Sequence, residues 1–384
     1  MMDEQLAGVT VLDHSTVGPA SRCTQILGDL GAQVIKIGPV GGDRWPPPWF
    51  AYGAGRRTKR ARFDLKSERG RDAFLRLASH ADVIVDSFRP GVADKLGVGF
   101  EAVHVHNPGL IYCATSGYGQ FGPYRDRAGH DINYLALGGF LATQGTRADG
   151  GPAIPGATVA DSAGGGMHAA IAILAALVRR AHSHEGVFLD VSTTEGVLAL
   201  TSLNVDEYLA TGVEPGPGTT LLTGKYACYD VYRARDDRWL AVGAIEPKFF
   251  ANLCEALGLS DLAKDQMDDS KQDELRAKIA EAFSRRTRDE WVLLLADADC
   301  CVTPVLSIAE VSEDIHLNAR DVFSEVDGPD GEKRRQVAPV IAGSLRESHY
   351  EAVSPSQSDT AQLLSSAGLD DDEIASLLEA GVIE

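Results

Sequence analysis

Along the first two hundred residues the apolar positions switch between a two-residue and a helical period. Residues 9–13 (Val-Thr-Val-Leu-Asp) alternate as a strand does, and Gly18-Pro19 punctuates the turn after it. Residues 20–31 carry apolar side chains at helical spacing and stop at a glycine, which predicts a helix. Residues 33–37 predict the next strand, 68–79 a helix, and 82–86 and 110–115 two further strands. A helix rich in glycine and alanine follows over 162–180, a composition suited to close packing against other backbone, and 187–191 reads as one more strand. Strands separated by helices predict parallel βαβ units.

The pattern changes after residue 200. Residues 212–220 are rich in glycine and proline and belong to a long connector. Residues 226–232 and 239–244 alternate on either side of Arg235-Asp236-Asp237-Arg238, which is a hairpin signal. Helices are expected at 247–257, 273–285 and 287–296, so this region reads as a smaller α+β domain. The tail, 359–383, is helical with a break near Gly368, and its second helix opens on Asp370-Asp371-Asp372-Glu373, where acids suit the helix dipole.

With 384 residues the chain exceeds one ordinary core, and 44% hydrophobic with 24% charged residues is the balance of a globular protein. A net charge of −19 argues against general affinity for nucleic acid or anionic membranes, but not against an anionic ligand held by local cations. The longest apolar run, 169–178, is too short to span a bilayer of about 30 Å. The Met-Met-Asp-Glu start lacks the pattern of a signal peptide, and the Gly-Val-Ile-Glu end is no peroxisomal address. Six cysteines without C-x-x-C spacing read as reduced, mostly buried thiols, and the expected location is cytoplasmic.

Four features bear on chemistry. Gly117-Tyr118-Gly119-Gln120-Phe121-Gly122 matches G-x-G-x-x-G, but Pro123-Tyr124-Arg125-Asp126-Arg127 follows where a dinucleotide site needs a helix, so a structural glycine loop is the better reading. Residues 56–66 place six cations in eleven positions, which a solvated loop or a ligand carrying several phosphates explains; the acidic background favours the ligand. Ser87-Phe88-Arg89-Pro90-Gly91 adds a cation at the end of a strand, where α/β sheets bind ligands. His130, Asp161 and Glu246 are the candidates for moving a proton on and off a carbon acid. Singly, the histidine reads as structural and each acid as a helix cap.

Taken jointly, longer stretches resemble the third family of CoA-transferases. They are residues 27–36 (Leu-Gly-Asp-Leu-Gly-Ala-Gln-Val-Ile-Lys), Phe63-Asp64-Leu65-Lys66, Phe88-Arg89-Pro90-Gly91-Val92 and residues 116–123. Gly129-His130-Asp131-Ile132-Asn133-Tyr134, residues 242–247 and residues 298–306 are similar to the α-methylacyl-CoA racemase branch.

The resemblance implies an α/β fold forming an interlocked homodimer. Each chain would build a large Rossmann-like, CoA-binding domain from 1–200 and 325–384, a linker over 201–225 and a small α+β domain over 226–324. It implies a CoA site lined by Phe63, Asp64, Leu65, Lys66, Ser87, Phe88, Arg89, Lys95, Gly129, Asp131, Ile132, Asn133 and Tyr134. His130 and Asp161 match the acid/base pair, and Glu246 an acid partnering the histidine from the other subunit. The expected substrate is an acyl-CoA thioester, with no metal or redox cofactor beyond its CoA moiety.

The implied reaction is racemisation at the α-carbon through an enolate. Its oxygen would be stabilised by backbone around His130–Asp131 or by the helix after Asp161. The rival is CoA transfer between carboxylic acids, with Asp161 forming a mixed anhydride. Pro215-Gly216-Pro217-Gly218 poorly matches the glycine loop that shields the anhydride in some transferases. Three features depart from the racemase pattern: Lys225 near the expected acyl pocket, Gly38-Pro39 in place of an acid and an arginine, and the insertion Trp45-Pro46-Pro47-Pro48-Trp49-Phe50.

Overall fold

The computed structural model describes residues 4–42, 55–328, 331–354 and 356–384, so the 45–50 insertion lies outside the described residues. Six strands form one wholly parallel sheet: β1 (Thr10–His14), β2 (Gln33–Gly38), β3 (Thr58–Arg62), β4 (Val83–Asp86), β5 (Ile111–Ser116) and β6 (Val187–Ser192). Their spatial order is β3-β2-β1-β4-β5-β6, so the direction of winding reverses between β1 and β4. Both faces are buried, as parallel sheets require. Val11, Val34 and Val83 face a core shared with Cys23 and Leu27 of the helix Pro19–Asp29 and with Ile173. Leu12, Ile35 and Ile84 face the other core, with Phe63 and Phe74. The tail closes that second core: Leu363, Leu364, Leu377 and Ile383 pack there, and the Asp64 amide donates to the Val382 carbonyl at 2.9 Å.

Strand β3 was not legible as a strand, because its Thr-Lys-Arg-Ala-Arg sequence reads as a charged run. Residues 160–167 differ from expectation in geometry. They form a π-helical segment, Ala160–Met167, continuous with the α-helix His168–Ser183. Asp161 therefore lies within the first turn, and Val159 holds the cap position. The whole run, Ala160–Ser183, is long and apolar enough to cross a membrane, where the sequence shows only a shorter apolar stretch. Here Ala169, Ala170, Ile173 and Ala176 of that run are buried in the core against the sheet.

The glycines of this run act as predicted. A Cβ on Gly165 would lie 2.5 Å from the Pro19 Cβ, so the helix Pro19–Asp29 packs directly on the backbone. The contact with the helix Thr193–Thr211 is closer, since a Cβ on Gly196 would fall 1.7 Å from the Gly164 carbonyl oxygen. Both sides of that contact are backbone and cannot rotate away. Gly196→Ala is therefore expected to destabilise the fold by about 1–3 kcal/mol or more, as overpacking does, measured by denaturant unfolding.

The chain divides into two compact units, Met1–Gly139 with Pro155–Ser202 and Ile315–Glu384, and Phe140–Ile154 with Leu203–Asp314. The helix Thr193–Thr211 runs on through the first part of the segment read as a linker. Its apolar residues lie on every side rather than in one stripe, so no helical period marked it in the sequence. The second unit holds an antiparallel sheet of β7 (Tyr229–Arg233), β8 (Trp239–Gly243) and β9 (Val302–Pro304). Asp237, with φ of 64°, sits in the β7–β8 turn, where aspartate tolerates the left-handed region. The helices Pro247–Leu257, Gln272–Phe283 and Arg288–Leu295 bury Phe250, Leu253, Ile279, Phe283 and Trp291 behind this sheet. In the first unit β10 (Phe323–Asp327), β11 (Lys333–Val337) and β12 (His349–Glu351) form a third sheet, in which β10 pairs antiparallel with β11 and parallel with β12. All six cysteines are free, and five are buried.

Candidate active site

Ligands of open parallel sheets bind beyond the carboxyl ends of the strands, where the winding reverses. In this sheet that point lies after β1 and β4. Two clefts open there, of about 580 and 510 Å³, and His14, Thr16 and Phe88 belong to the walls of both.

The first cleft is built from the residues that follow β2 and β3. Phe63, Asp64, Leu65 and Lys66 line it, and Gly38 and Pro39 form the wall where an arginine was missing from the pattern. The second cleft gathers Ser87, Gly129, His130, Tyr134 and Asp161, so two of the three proton-transfer candidates share one cavity. The remaining implied CoA residues are not in either lining. Arg89, Lys95, Ile132 and Asn133 are exposed. Asn133 accepts a hydrogen bond from the His130 amide at 3.0 Å, and Asp131 accepts one from the Asp161 amide at 2.9 Å. These two side chains fix the backbone at both proton-transfer candidates. The Asp161 amide is thereby engaged and is not a free donor for an enolate oxygen.

Asp161 is half-buried. Burial, and then the neighbouring Asp131 carboxylate, push its pKa up to about 6, against the opposing pull of His130 and Arg22. An aspartate in that range exchanges a proton near neutral pH, which an ordinary one does not. His130 is exposed at the start of the helix Asp131–Leu137. The Tyr134 hydroxyl donates to the Gly129 carbonyl at 2.6 Å, and burial holds its pKa up at about 12, so it stays neutral.

At least half of the basic run is engaged within the fold. Arg56 is buried and makes two 2.8 Å hydrogen bonds to Asp29, Arg57 pairs with Glu4 and Glu347, and Arg62 lies 3.8 Å from Glu384. These cations fasten the outer strand β3 to the rest of its unit. Of the six, Lys66 lines a cleft. The Gly117–Gly122 loop is not followed directly by a helix, and Gly117 lines the second cleft. Gly119 and Gly122 have φ of 88° and 91°, and the next helix starts only at Asp131.

Sequence reasoning missed the loop after β1. His14 and Ser15 end the alternating strand as ordinary polar residues, and only the strand order shows that they sit at the reversal. The loop is anchored from beneath by Asp13, wholly buried, which pairs with Lys36 and accepts hydrogen bonds from the Ser15 amide and the Thr24 hydroxyl.

Residues 6–360 match the sequence profile of CoA-transferase family III. The chain belongs to that family. It is 37% identical to the alpha-methylacyl-CoA racemase of Homo sapiens over 83% of this chain and 82% of that protein. It is 31% identical to the succinyl-CoA--D-citramalate CoA-transferase of Chloroflexus aurantiacus over 98% of each chain. A crystal structure of a CAIB/BAIF family protein from Brucella suis superposes with a TM-score of 0.77 at 26% identity, covering 94% of this chain and 98% of that one.

Two remaining positions stand out for a family III protein. Glu246 lies in the second unit, exposed, at the cap position of the helix Pro247–Leu257. Lys225, also in the second unit, makes a 2.9 Å ion pair with Asp269 and lies over the Tyr226 ring at 4.9 Å, so a carboxylate balances its charge locally.

Proposed function

We propose that this family III protein is a 2-methylacyl-CoA racemase acting by two-base proton transfer. The observation that carries the reading is that His130 and Asp161 line one cleft, with the carboxylate's pKa raised to about 6. One of the pair removes the α-proton of the thioester, and the C–H electron pair moves into the carbonyl to give an enolate. The other delivers a proton to the opposite face, and the thioester bond stays intact. Neutral His130 opposite protonated Asp161, or the reverse pair, runs the reaction in either direction. Each well-placed acid or base contributes roughly 10²–10⁴ in rate.

In this reading the nucleotide end of CoA occupies the first cleft and the thioester the second. The scheme uses no metal or redox cofactor, and its other ligand groups are those of CoA itself. Glu246 of a partner subunit is assigned to the histidine by resemblance. A homodimer is in keeping with the apolar side chains left exposed on two helices, Met167, Ile171 and Val178 on one and Leu198, Leu200, Leu203 and Leu209 on the other.

CoA transfer is the second reading, favoured by the full-length match to the Chloroflexus aurantiacus transferase. There the Asp161 carboxylate attacks the thioester, CoA thiolate leaves, and a free acid is needed to take up CoA. Acceptor dependence separates the two. The protein, given one enantiomer of a 2-methylacyl-CoA in D₂O without free acid, is expected to place deuterium at Cα with loss of optical purity. A bound thioester that gains no deuterium, followed by CoA exchange on addition of a carboxylic acid, overturns the racemase reading in favour of transfer.

A further inference from the structure

His14 is a residue of both clefts whose chemistry the proposed reaction leaves unused. It ends β1 at the winding reversal, is only 6% exposed, and belongs to the walls of both clefts. Its ring is fixed edge-on to Phe74 at 4.9 Å and tilted against Phe88 at 5.5 Å. Yet its Nε2 is buried and has no hydrogen-bond partner among the described residues. Buried polar atoms are nearly always paired, so an orphan in a cleft wall marks a place where a ligand supplies the partner.

We infer that His14 binds the amide-bearing pantetheine arm of the CoA ligand, through a hydrogen bond from Nε2 as the arm passes from the first cleft to the second. The inference rests on the acyl-CoA reading of the two clefts. A ligand with one end in each must cross the three residues they share, and of these His14 carries a buried side-chain nitrogen without a partner among the described residues. Burial lowers the His14 pKa to about 4 despite the adjacent Asp13, so the imidazole is neutral at physiological pH. A neutral imidazole suits an uncharged amide rather than a phosphate, which calls for a cation. That places His14 on the arm and not at the nucleotide end.

The test is calorimetric titration of the full-length protein and His14→Phe with CoA and with adenosine 3′,5′-bisphosphate, which lacks the arm. The aromatic replacement keeps the packing on Phe74 and Phe88 and removes the nitrogen. CoA affinity is expected to fall about tenfold, as for loss of one buried hydrogen bond, with the bisphosphate bound as before. His14→Gln, which retains a donor, is expected to recover part of the loss. Equal CoA affinity in wild type and His14→Phe overturns the inference, as does an equal loss for both ligands. Unchanged CoA affinity with lost α-proton exchange also overturns it, moving the imidazole to the thioester carbonyl. Wild type that binds neither ligand instead overturns the acyl-CoA reading itself. Should His14→Phe not fold, the imidazole ¹⁵N resonances of wild type decide: a His14 signal unmoved by saturating CoA overturns the inference.

Discussion

His130→Ala is expected to lose α-proton exchange by roughly 10²–10⁴-fold, the usual contribution of one placed acid or base, while CoA binds with near wild-type affinity. The separation follows from where the side chain sits. His130 is exposed in the wall of the second cleft, and Phe63, Asp64, Leu65 and Lys66 line the first. Its ring carries no part of the buried core, and the hydrogen bond that its backbone N–H donates to the Asn133 side-chain oxygen is one alanine retains. The fold should therefore survive the change. Deuterium uptake at Cα reads the first effect, and a titration with free CoA reads the second. Full exchange activity in the variant would remove the two-base scheme. Activity that proved acceptor-dependent and insensitive to the substitution would fit CoA transfer, in which Asp161 acts without the histidine.

The parallel sheet was legible because its strands are short apolar runs with helices of clear period between them. Val11 and Leu12 are adjacent, yet each enters a different core, which is why such runs read as strands buried on both faces. The glycine contacts of the 160–183 helix were legible for a similar reason, since Gly164-Gly165-Gly166 leave no side chain to keep a neighbour away. What escaped were elements set by partners far off in the chain. Arg56 and Arg57, just before β3, are matched by Asp29, Glu4 and Glu347, and Arg62 of β3 by Glu384, and no local pattern reveals such pairs. The π-helical segment around Asp161 and the site of His14 are consequences of how helices and strands meet. The candidate proton-transfer residues stood out only jointly, through the resemblance. Taken alone, each had an ordinary structural explanation.

Asp161→Asn is the second substitution with a large expected effect, and its pH dependence separates the two chemistries that share the residue. Exchange is expected to fall by roughly 10²–10⁴-fold, because an amide neither takes nor gives the proton. Under the racemase reading the active His130–Asp161 pair would hold one proton between its two members, so kcat/KM is expected to be bell-shaped in pH. The rate falls when the pair holds two protons or none, and the apparent pKa values belong to the pair. Both enantiomers must show the same profile, since the two active forms differ only in which group carries the proton. Burial and Asp131 raise the carboxyl pKa to about 6, so the acid limb is expected near pH 6 rather than near 4. The same shift has a stability consequence of definite sign. A raised carboxyl pKa stabilises the folded state at low pH, and that contribution is lost as pH rises through about 6. Asp161→Asn should then unfold at higher denaturant than wild type at pH 8, with the difference shrinking toward pH 4. A transferase in which Asp161 is the nucleophile needs only the ionised carboxylate, so kcat/KM would rise through pH 6 to a plateau without a basic limb from the pair. A bell identical for both enantiomers, lost together with exchange in Asp161→Asn, supports racemisation. A plateau above pH 6 that appears only with a free acid acceptor would sink it.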